Sequence, residues 1–409
     1  MEVLVKLILS SFLLFPTHGF KIFQLENGSF VFCRRSSLLQ VPDNSTLFKL
    51  VQNRNISSIP FLDTQALLQC INAAPSLVAR DNSRDEAIRV KVQEADLASP
   101  SSFIILIKRL SGFYLNPCIA FINKRLLITW RAMNDNAVLS YGWLDMETMA
   151  VERIINRPDN YFMGGAQTSQ EDVRIIIGTN NSIISVYTGN FGLRRKAKAF
   201  LSIGAWNDSD WTLSFESSVF MKYGEKFNQK NWIPFYYNES LLFIYSLVPL
   251  TVLRMKSQDE NYVGEMEVFS VNSLQNKSYP LPWKGDKYGS EIRGGSTAVF
   301  VNNGYLLFFH TLSMDFAVRN YFMGAMHLCP NPPFKIRAMS SYPIVKSDWY
   351  EGSWVLKNTI DYVVFPVGLA LDPDKTHVWL SYGRQDHIGE IAKLEIKGLL
   401  DSLENVTTC

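Results

Sequence analysis

The sequence predicts an all-β protein, organised as a β-propeller with a mixed N-terminal extension. From about residue 102 onward, short runs of Val, Ile, Phe and Tyr alternate with Gly, Asn, Asp or Pro, as in successive antiparallel strands. Polar clusters precede such runs, and their successive spacings are 56, 59, 62 and 93 residues. A four-stranded blade with loops takes about 40–50 residues or somewhat more, so the first three spacings favour blades. The clusters lie at Asn116, Asp172, Asn231, Arg293 and Asp386.

A large β-sandwich is the alternative for a strand-rich region of about 300 residues. The repeated spacing favours the propeller, and an echo of YFMGG at Tyr161 in YFMGA at Tyr321 is in keeping with repeats. In a propeller, the first strand of each blade begins near a central funnel. Polar residues that are distant in sequence, including the Glu171–Asp172 pair before an isoleucine run, would converge there.

The N-terminus predicts a cleaved secretory signal over residues 1–19. An apolar run from Leu7 to Phe15 is followed by the small residues Thr17 and Gly19. The run is shorter than the roughly 20 residues of a membrane span, although an uncleaved anchor is the open alternative. The resulting expectation is a secreted protein, or one in the lumen of the secretory pathway, with no membrane span beyond the signal.

Glycosylation sequons and cysteines agree with that route. Eight Asn-X-Ser/Thr sequons, typical in this number of a glycoprotein, begin at Asn27, Asn44, Asn55, Asn180, Asn207, Asn238, Asn276 and Asn405. Five cysteines allow at most two internal disulfides. Cys33–Cys70 is one plausible pair, but the sequence does not fix the connectivity.

Residues 20–100 form the predicted mixed extension. The segment 61–79 spaces its apolar residues as a helix does, with Asp63 or Thr64 as candidate N-caps. The charged, then Ser/Pro-rich segment that follows it predicts a surface connection. Residues 101–400 form the predicted propeller, and 401–409 a C-terminal tail.

Strand signals continue through the propeller region. Asn303-Gly304, between two apolar runs, predicts a tight hairpin. The principal predicted strands are FIILIKRL, RLLITWRAM, VRIIIG, SIISVYTG, SLLFIYSLV, TAVFV, YLLFFHTL, YVVFPVGLAL and HVWLSYG.

Composition restricts the classes of partner. A net charge of +2 and the lack of a long basic run give no reason to expect nucleic acid. Aromatic residues make up 13% of the chain, which fits either a large β-rich core or a surface on which sugar rings stack.

An ordered set of segments resembles glycoside hydrolase family 130, the five-bladed propellers that include β-mannoside phosphorylases. The resemblance covers about residues 115–400 and depends on the order of the set, since no single motif is specific. The segments are LNPCIAFINKRLLITWR, SQEDVRI, QKNWIPFYYNESLLFIYS, IRGGSTAVFVNNGYLLFFH, YFMGAMHL, YPIV with a following YE, VVFPVGL and LSYGRQDHIGEIAKLEI.

The chain departs from the family pattern at three positions. Val173 replaces the proline of Glu-Asp-Pro-Arg, Thr311 replaces a glycine after His310, and Arg293 stands where lysine is common. These departures indicate a distant branch, so the resemblance does not carry over the identity of the substrate.

The resemblance implies that Asp172 is the general acid, which protonates the oxygen of the leaving group in glycosidic bond cleavage. A turn residue that caps a strand or pairs with Arg174 is the structural alternative. Asn116, Arg131 and Asp386 match residues that hold the sugar, and Glu171 and Arg174 complete the predicted substrate-binding set. Asp386 is equally compatible with a role in shaping its turn.

The resemblance further implies a phosphate-binding set of Lys230, Asn231, Arg293 and His310, with Gly294 and Gly295 allowing backbone N–H groups to approach an anion. Phosphate is already an anionic nucleophile, so phosphorolysis needs cations rather than a second carboxylate. Lys230 as a solvated loop charge and His310 as a core histidine are the bland alternatives.

We therefore expect a carbohydrate-active enzyme, a glycoside phosphorylase or glycosyltransferase acting on β-mannoside-like linkages. Phosphate or a sugar phosphate is the expected co-substrate, with no other cofactor and no metal. A glycoside hydrolase on the same scaffold and a non-catalytic glycan-binding propeller are the alternatives. Signatures of other catalytic classes, such as G-x-S-x-G, H-E-x-x-H or a Walker loop, do not occur in the sequence.

Overall fold

The computed structural model describes most of the chain from residue 88 to the C-terminus. It describes residues 20–24, 30–34, 37–39, 88–98 and 101–409, except within the last range for 111–114, 132–138, 157–166, 179–180, 192–195, 208–211, 216–217, 225–229, 273–280, 316–317, 351–359 and 386–387. The signal segment, the helix expected over 61–79, Cys70 and Asp386 lie outside the described residues.

The chain divides into two compact units, residues 1–87 with 354–359 and residues 88–353 with 360–409. In the first unit, β1 (Phe20–Gln24), β2 (Phe30–Arg34) and β3 (Ser37–Leu39) form an antiparallel sheet in the order β1-β2-β3. Among the described residues, no helix combines the length and apolar character needed to cross a lipid bilayer.

The second unit begins with a helix, α1, over residues 88–98. The sequence analysis predicted a surface connection here, and that prediction was wrong because it weighted charge above periodicity. Ile88, Val92 and Ala95 are spaced as one helical face and are all buried, while Arg89 and Glu94 between them are exposed.

Strands dominate the rest of this unit. They are β4 (Ile104–Arg109), β5 (Leu115–Ile122), β6 (Arg125–Arg131), β7 (Leu139–Leu144), β8 (Val151–Asn156), β9 (Gln167–Ile177), β10 (Ser182–Phe191), β11 (Lys196–Asn207), β12 (Thr212–Phe215), β13 (Val219–Lys222), β14 (Ile233–Tyr237), β15 (Ser240–Leu247), β16 (Leu250–Gln258), β17 (Val263–Asn272), β18 (Glu291–Gly294), β19 (Val299–Phe300), β20 (Tyr305–Asp315), β21 (Val318–Leu328), β22 (Ile336–Met339), β23 (Ile360–Leu371), β24 (His377–Arg384), β25 (Ile388–Glu395) and β26 (Glu404–Asn405). Short helices occur at α2 (Gly285–Tyr288) and α3 (Ile396–Asp401), with a 3-10 turn at Ser347–Tyr350.

These strands form successive antiparallel groups. β5 to β8 pair in chain order, as do β14 to β17 and β23 to β25. β10 pairs with both β9 and β11, and β20 pairs with β18, β19 and β21. Parallel pairs, β13 with β17 and β21 with β23, join neighbouring groups. The all-β prediction is confirmed.

The first strands of these groups contact one another across group boundaries. β5 contacts both β9 and β23, β9 contacts β14, and β19 contacts β23. Thr297, just before β19, links β19 to β23. Its hydroxyl donates to the carbonyl of Leu369 and accepts from the N–H of Leu369, both at 2.9 Å. Gly294 lies against β14, where a Cβ added to it would be 2.2 Å from the carbonyl oxygen of Asn231. These contacts close a cycle of first strands within the described residues.

Burial agrees with this arrangement. Nearly every residue of β5 is buried, as in a strand covered on both faces, whereas β16 begins buried and ends exposed. Cys118 on β5 is a free, fully buried thiol that accepts a hydrogen bond from the backbone N–H of Ile175 on β9, at 3.2 Å. Burial raises the pKa of this thiol to about 12.

Both ends of the second unit are fastened to sheets formed by other parts of the chain. β4, from the N-terminal side, pairs antiparallel with β25 and so completes the last sheet. β26 pairs with β22, and a disulfide joins Cys329 to Cys409. Residues 404–409 are thus attached by hydrogen bonds and a covalent bond.

The hairpin expected near Asn303-Gly304 is present between β19 and β20. Its turn is closed by the Val301 N–H, which donates to the Gly304 carbonyl at 2.9 Å. The two residues in the left-handed conformation are Asn302 and Asn303, with φ of 45° and 54°. The central pair of the turn therefore lies one residue earlier than the Asn-Gly signal indicates.

Candidate active site

Three predicted site residues occupy an uncommon backbone conformation. Asn116, Asp172 and Asn231 have φ values of 46°, 52° and 65°; Asn116 is the second residue of β5, Asp172 lies in the middle of β9, and Asn231 lies two residues before β14. Asn and Asp adopt this left-handed region more readily than other residues with side chains. At Asn116 and Asp172 the strand register also shifts, so two residues oppose one on the partner strand. Such bulges redirect side chains and are frequent beside active sites.

Asn116 and Asp172 are hydrogen-bonded to each other. Asn116 Nδ2 donates to Asp172 Oδ1 at 2.8 Å, and both residues are buried. The Asn116 Oδ1 atom is buried and has no hydrogen-bond partner among the described residues. A Cβ added to Gly383 on β24 would be 2.1 Å from that oxygen, so only glycine fits beside it.

Glu171 and Arg131 form an ion pair beside this contact. Arg131 Nη1 is 3.3 Å from Glu171 Oε1, and each side chain is about a quarter exposed. The two carboxylates of the Glu-Asp pair therefore have different surroundings: Glu171 faces a cation that is about a quarter exposed, and Asp172 faces a buried amide.

Arg174 is almost fully buried and reaches three segments of the chain. Its Nε donates to the Gly295 carbonyl at 2.6 Å, Nη1 to the Asp172 carbonyl at 2.7 Å, and Nη2 to Asn231 Oδ1 at 3.3 Å. Burial lowers the pKa of the guanidinium, while the nearby Asp172 carboxylate acts in the opposite direction.

His310 lies in the same region. It is opposite Arg293 in the β18–β20 pairing, is buried, and packs against the rings of Tyr321 and Phe365. Burial lowers the pKa of His310 well below its ordinary value, and the positive charges of Arg293, Arg174 and, more weakly, Lys230 act in the same direction. Its Nδ1 atom has no hydrogen-bond partner in the described part of the chain.

The two remaining cations are more accessible. Arg293 is bound on its Nε and Nη2 edge by both carboxylate oxygens of Glu291, at 2.8 and 2.7 Å. The Glu291 side chain is 59% exposed, so it can move away from the guanidinium. Lys230 is exposed and precedes Asn231 directly.

The structure brings most of the predicted site residues into one connected region. Contacts link Arg131 to Glu171, Asn116 to Asp172, and Arg174 to both Asp172 and Asn231. Arg293, Arg174 and Lys230 act electrostatically on His310. Asp386 follows β24 but lies outside the described residues, so its role stays a prediction.

Two aromatic residues close in sequence to predicted site residues, Trp232 and Tyr382, are buried in the core. Trp232 packs against Phe243 and Tyr245. Tyr382 donates its hydroxyl to Glu390 at 2.7 Å. Neither ring is accessible to a ligand from outside.

Sequence reasoning did not identify Glu291 or Gly383. Glu291 lies two residues before Arg293 on the same strand, a spacing that places both side chains on one face and could have indicated the pair. Gly383 touches Asn116 only because β24 and β5 are adjacent, and no local pattern carries that information. The described residues also contain Asp372, Asp374 and His377 within ligand distance of one another, but Trp379 and Lys393 already contact Asp372.

Comparisons with known proteins found similarity to solved structures only. No protein-family model matches it, and no curated protein sequence matches it. A structure reported for the GH130 family of mannoside phosphorylases, said to contain hydrolases that target β-1,2 mannosidic linkages in Candida mannan, is 12% identical with a TM-score of 0.49. That match covers 74% of this chain and 88% of the other.

Two phosphorylases are also similar. A β-1,2-mannobiose phosphorylase from Listeria innocua, in complex with β-1,2-mannobiose, is 14% identical at a TM-score of 0.46, covering 73% of this chain and 93% of its own. A mannose phosphorylase from Leishmania mexicana, in complex with phosphate ion, is 12% identical at a TM-score of 0.44, covering 80% and 100%. Identities and scores this low do not assign an activity. In its ordered motifs and in solved structures, the chain is nevertheless similar to glycoside hydrolase family 130.

Proposed function

We propose that this chain is a carbohydrate-active enzyme, a glycoside phosphorylase or glycosyltransferase that acts on β-mannoside-like linkages. One observation carries the proposal. Asp172, a buried residue, is connected through its backbone carbonyl and Arg174 to Asn231 and to the cationic surroundings of His310, which supports an acid and an anion-binding region side by side.

The fold part of the proposal is a five-bladed propeller. Its support is the cycle of first strands, in which β5, β9, β14, β18 with β19, and β23 are the innermost strands of five blades. β4 would then be the outermost strand of the last blade, where it joins the two ends of the ring. This geometry explains why residues about 60 positions apart in sequence meet.

Asp172 is the general acid of the proposed reaction. Asn116 holds Oδ1 as a hydrogen-bond acceptor, which leaves Oδ2 to carry the proton that is transferred to the leaving oxygen, directly or through a sugar hydroxyl. Asn116, Arg131, Glu171 and Asp386 are the proposed contacts to the sugar hydroxyls.

Lys230, Asn231, Arg293 and His310 form the proposed anion subsite. Its support is the summed positive charge around His310 and the mobility open to the Glu291 side chain. Phosphate, or the phosphate of a sugar phosphate, is the co-substrate, because a site that collects cations and N–H donors stabilises an anion at the reacting centre.

A glycoside hydrolase is the second candidate, and Glu291 favours it. This carboxylate occupies the edge of Arg293 that a phosphate would bind. An inverting hydrolase needs a second carboxylate that activates water, and an exposed, mobile glutamate is a suitable residue type.

Purified full-length protein tests these candidates directly. It is incubated with mannose-1-phosphate and a panel of sugar acceptors, and in reverse with β-mannosides in the presence and absence of phosphate. Turnover that requires phosphate, or consumes mannose-1-phosphate, supports the phosphorylase or transferase, and turnover in water alone supports the hydrolase.

The matched variants are Asp172→Asn and, as control, Asp401→Asn, whose carboxylate pairs with Lys397 on α3. We expect turnover to vanish only in Asp172→Asn. Glycan binding that survives Asp172→Asn, with no turnover on any linkage by the unaltered protein, would reject the enzyme in favour of a glycan-binding propeller.

Passage through the secretory route is also proposed. It is supported by the Cys329–Cys409 disulfide, a bond that persists in oxidising compartments, and by the exposure of the sequon asparagines Asn207, Asn238 and Asn405. Expression in a eukaryotic cell, followed by removal of N-glycans and a gel with and without reductant, tests this. A single reductant-insensitive species without glycans would contradict it.

A further inference from the structure

Arg174 differs from the other cations of the region because nothing outside the protein can reach it. We propose that Arg174 is a positioning residue, which sets the orientation of the Asn231 amide and the backbone of Asp172 so that acid and anion subsite form one unit. This inference rests on the proposed function, since it explains how two parts of that site are held together. It assigns to Arg174 a role other than the substrate contact that its sequence position predicts.

The Asn231 amide has one orientation beside Arg174. A guanidinium has only donors, so the Asn231 atom that faces Arg174 Nη2 must be the oxygen. The Nδ2 group of Asn231, which carries two N–H donors, is thereby directed away from Arg174. An anion needs donors, so this orientation is the one that suits an anion subsite.

Arg174 also restrains the backbone of the proposed acid. Arg174 Nη1 bonds the carbonyl oxygen of Asp172, the residue at φ 52° whose side chain leaves the bulge of β9. A left-handed residue persists where the surrounding structure holds it. Arg174 lies two residues further along the same strand and supplies such a restraint, while Asn116 holds the carboxylate.

Arg174 also reaches the Gly-rich turn after β18. Arg174 Nε bonds the carbonyl of Gly295, next to Gly294, which packs against the backbone of Asn231. One guanidinium therefore joins β9, the segment before β14 and the segment after β18. Its planar fork suits three acceptors in fixed directions, which the single ammonium of lysine cannot match.

The positive charge of Arg174 also acts on its surroundings. The three hydrogen bonds of the Arg174 guanidinium go to neutral oxygens, the nearby Asp172 carboxylate offsets part of its charge, and the guanidinium lies 5.9 Å from the Phe365 ring centre. A buried cation that is bonded to neutral oxygens retains a positive field, which here reaches His310. Arg174 thus favours an anion near His310 without touching it.

The test uses full-length Arg174→Lys and Asn231→Asp proteins beside the unaltered one. Melting temperature, affinity for inorganic phosphate by calorimetry, and the KM for phosphate and kcat of β-mannoside phosphorolysis are measured for each. Arg174→Lys keeps the charge but loses the fork. We expect it to remain folded, to bind phosphate at least tenfold more weakly, and to lose at least tenfold in kcat.

Asn231→Asp keeps the test decisive if Arg174→Lys does not fold. Its carboxylate still accepts from Arg174, so we expect a melting temperature at or above that of the unaltered protein. The Nδ2 donors are lost, so phosphate affinity should fall at least tenfold. Wild-type phosphate affinity in a folded Asn231→Asp protein, or wild-type KM and kcat in Arg174→Lys, overturns the inference.

The 15N NMR chemical shifts of the His310 imidazole distinguish failure of this inference from failure of the proposed function. If the unaltered protein neither binds phosphate nor turns over any substrate, the proposed function fails. In that case, a displaced His310 signal in Arg174→Lys, absent in the exposed control Arg254→Lys, still supports the positioning and field of Arg174. An undisplaced His310 signal in Arg174→Lys overturns both the positioning role and the field of Arg174.

Discussion

The side-chain amide of Asn116 donates a 2.8 Å hydrogen bond to the Asp172 carboxylate, although the two residues are 56 positions apart. Both reside at irregular, left-handed points of adjacent strands, β5 and β9. The contact is a direct consequence of the packing of the first strands, and it fixes which oxygen of the proposed acid is available for a proton.

Removal of this donor should impair the acid without unfolding the protein. Asn116→Ala loses a hydrogen bond to a carboxylate, an interaction of about 1.5–3 kcal/mol, so we expect kcat/KM to fall roughly tenfold to a hundredfold. Steady-state kinetics on a substrate that the turnover assays identify would measure this. The control Asn261→Ala removes an exposed loop amide and should leave kcat/KM unchanged. Equal kinetics for both variants would show that the Asn116 contact is dispensable.

Gly383 should not tolerate a side chain. In Gly383→Ala the new methyl group would lie 2.1 Å from Asn116 Oδ1, so Asn116 must move away from Asp172. We expect a loss of about 1–3 kcal/mol in the free energy of unfolding, and reduced turnover. Urea unfolding and kinetics provide the measurements.

The matched control is Gly264→Ala, in which the closest atom is the terminal methyl of the flexible Met255 side chain. This variant should fold and turn over normally. The explanation for Gly383 would be wrong if the two alanine variants were equally stable and equally active.

Glu291 should compete with the anion for Arg293. Since the carboxylate binds the guanidinium on two atoms, its neutralisation in Glu291→Gln frees that edge and removes a nearby negative charge. Exposed ion pairs contribute about 0.2–1 kcal/mol, so phosphate affinity should rise by roughly twofold to fivefold. Calorimetry at low and high salt measures the change.

Glu267→Gln is the control, because Glu267 pairs with the half-exposed Arg254 on β16. It should not alter phosphate binding. If Glu291→Gln instead abolishes hydrolysis in water while phosphate has no effect, Glu291 acts as the base and the hydrolase is the correct assignment.

His310 should make the fold sensitive to mild acid. Burial and the neighbouring arginines lower its pKa well below that of an unfolded histidine, about 6.5. The unfolded chain therefore binds more protons as the pH falls below about 6.5, and native stability decreases by up to about 1.4 kcal/mol per pH unit. Above that pH this contribution to the slope is absent.

Urea unfolding between pH 5 and 7.5 measures the slope, with His310→Phe as the comparison, since Tyr321 and Phe365 already surround the ring. We expect a shallower slope in His310→Phe. His327, whose pKa burial also lowers, contributes in the same direction and remains in both proteins. Superimposable slopes would mean that His310 does not stay neutral in the folded protein.

The C-terminal disulfide should stabilise the second unit. Cys329 and Cys409 are 80 residues apart, and closure of a loop of this size is worth about 2–4 kcal/mol. Cys409→Ser should lower the melting temperature, and reductant should destabilise the unaltered protein but not this variant. Cys118→Ala, which alters the free thiol, serves as the cysteine control and should keep its sensitivity to reductant.

Local sequence was sufficient for much of this protein. Apolar runs bounded by turn residues correspond to strands such as β4, β15 and β24, because the alternation of burial and the turn chemistry act over a few residues. Asn116, Asp172 and Asn231 were identifiable as polar residues that precede apolar runs and match the ordered family motifs, whereas their left-handed backbone was not predicted.

The spacing of 93 residues between Arg293 and Asp386 does not match the others, because Asp386 does not mark the first strand of its group. The polar cluster at Asp386 precedes β25, the third strand of its group, whereas the first strand of that group is β23 and contains the left-handed Tyr362. Tyr362 is buried and apolar in character, so it did not register as a polar cluster. The left-handed residue on the first strand is therefore present in this group too, but its side chain is not a polar one that the sequence would reveal.

The sequence by itself determined the strands, the turns and the residue types that the site would use. Tertiary structure alone decided that Arg174 bonds three separate segments, that Gly383 must lack a side chain beside Asn116, and that Glu291 covers Arg293. Strand formation depends on neighbours a few residues away, whereas these contacts depend on which strands pack together, and that is set by the burial of the whole core.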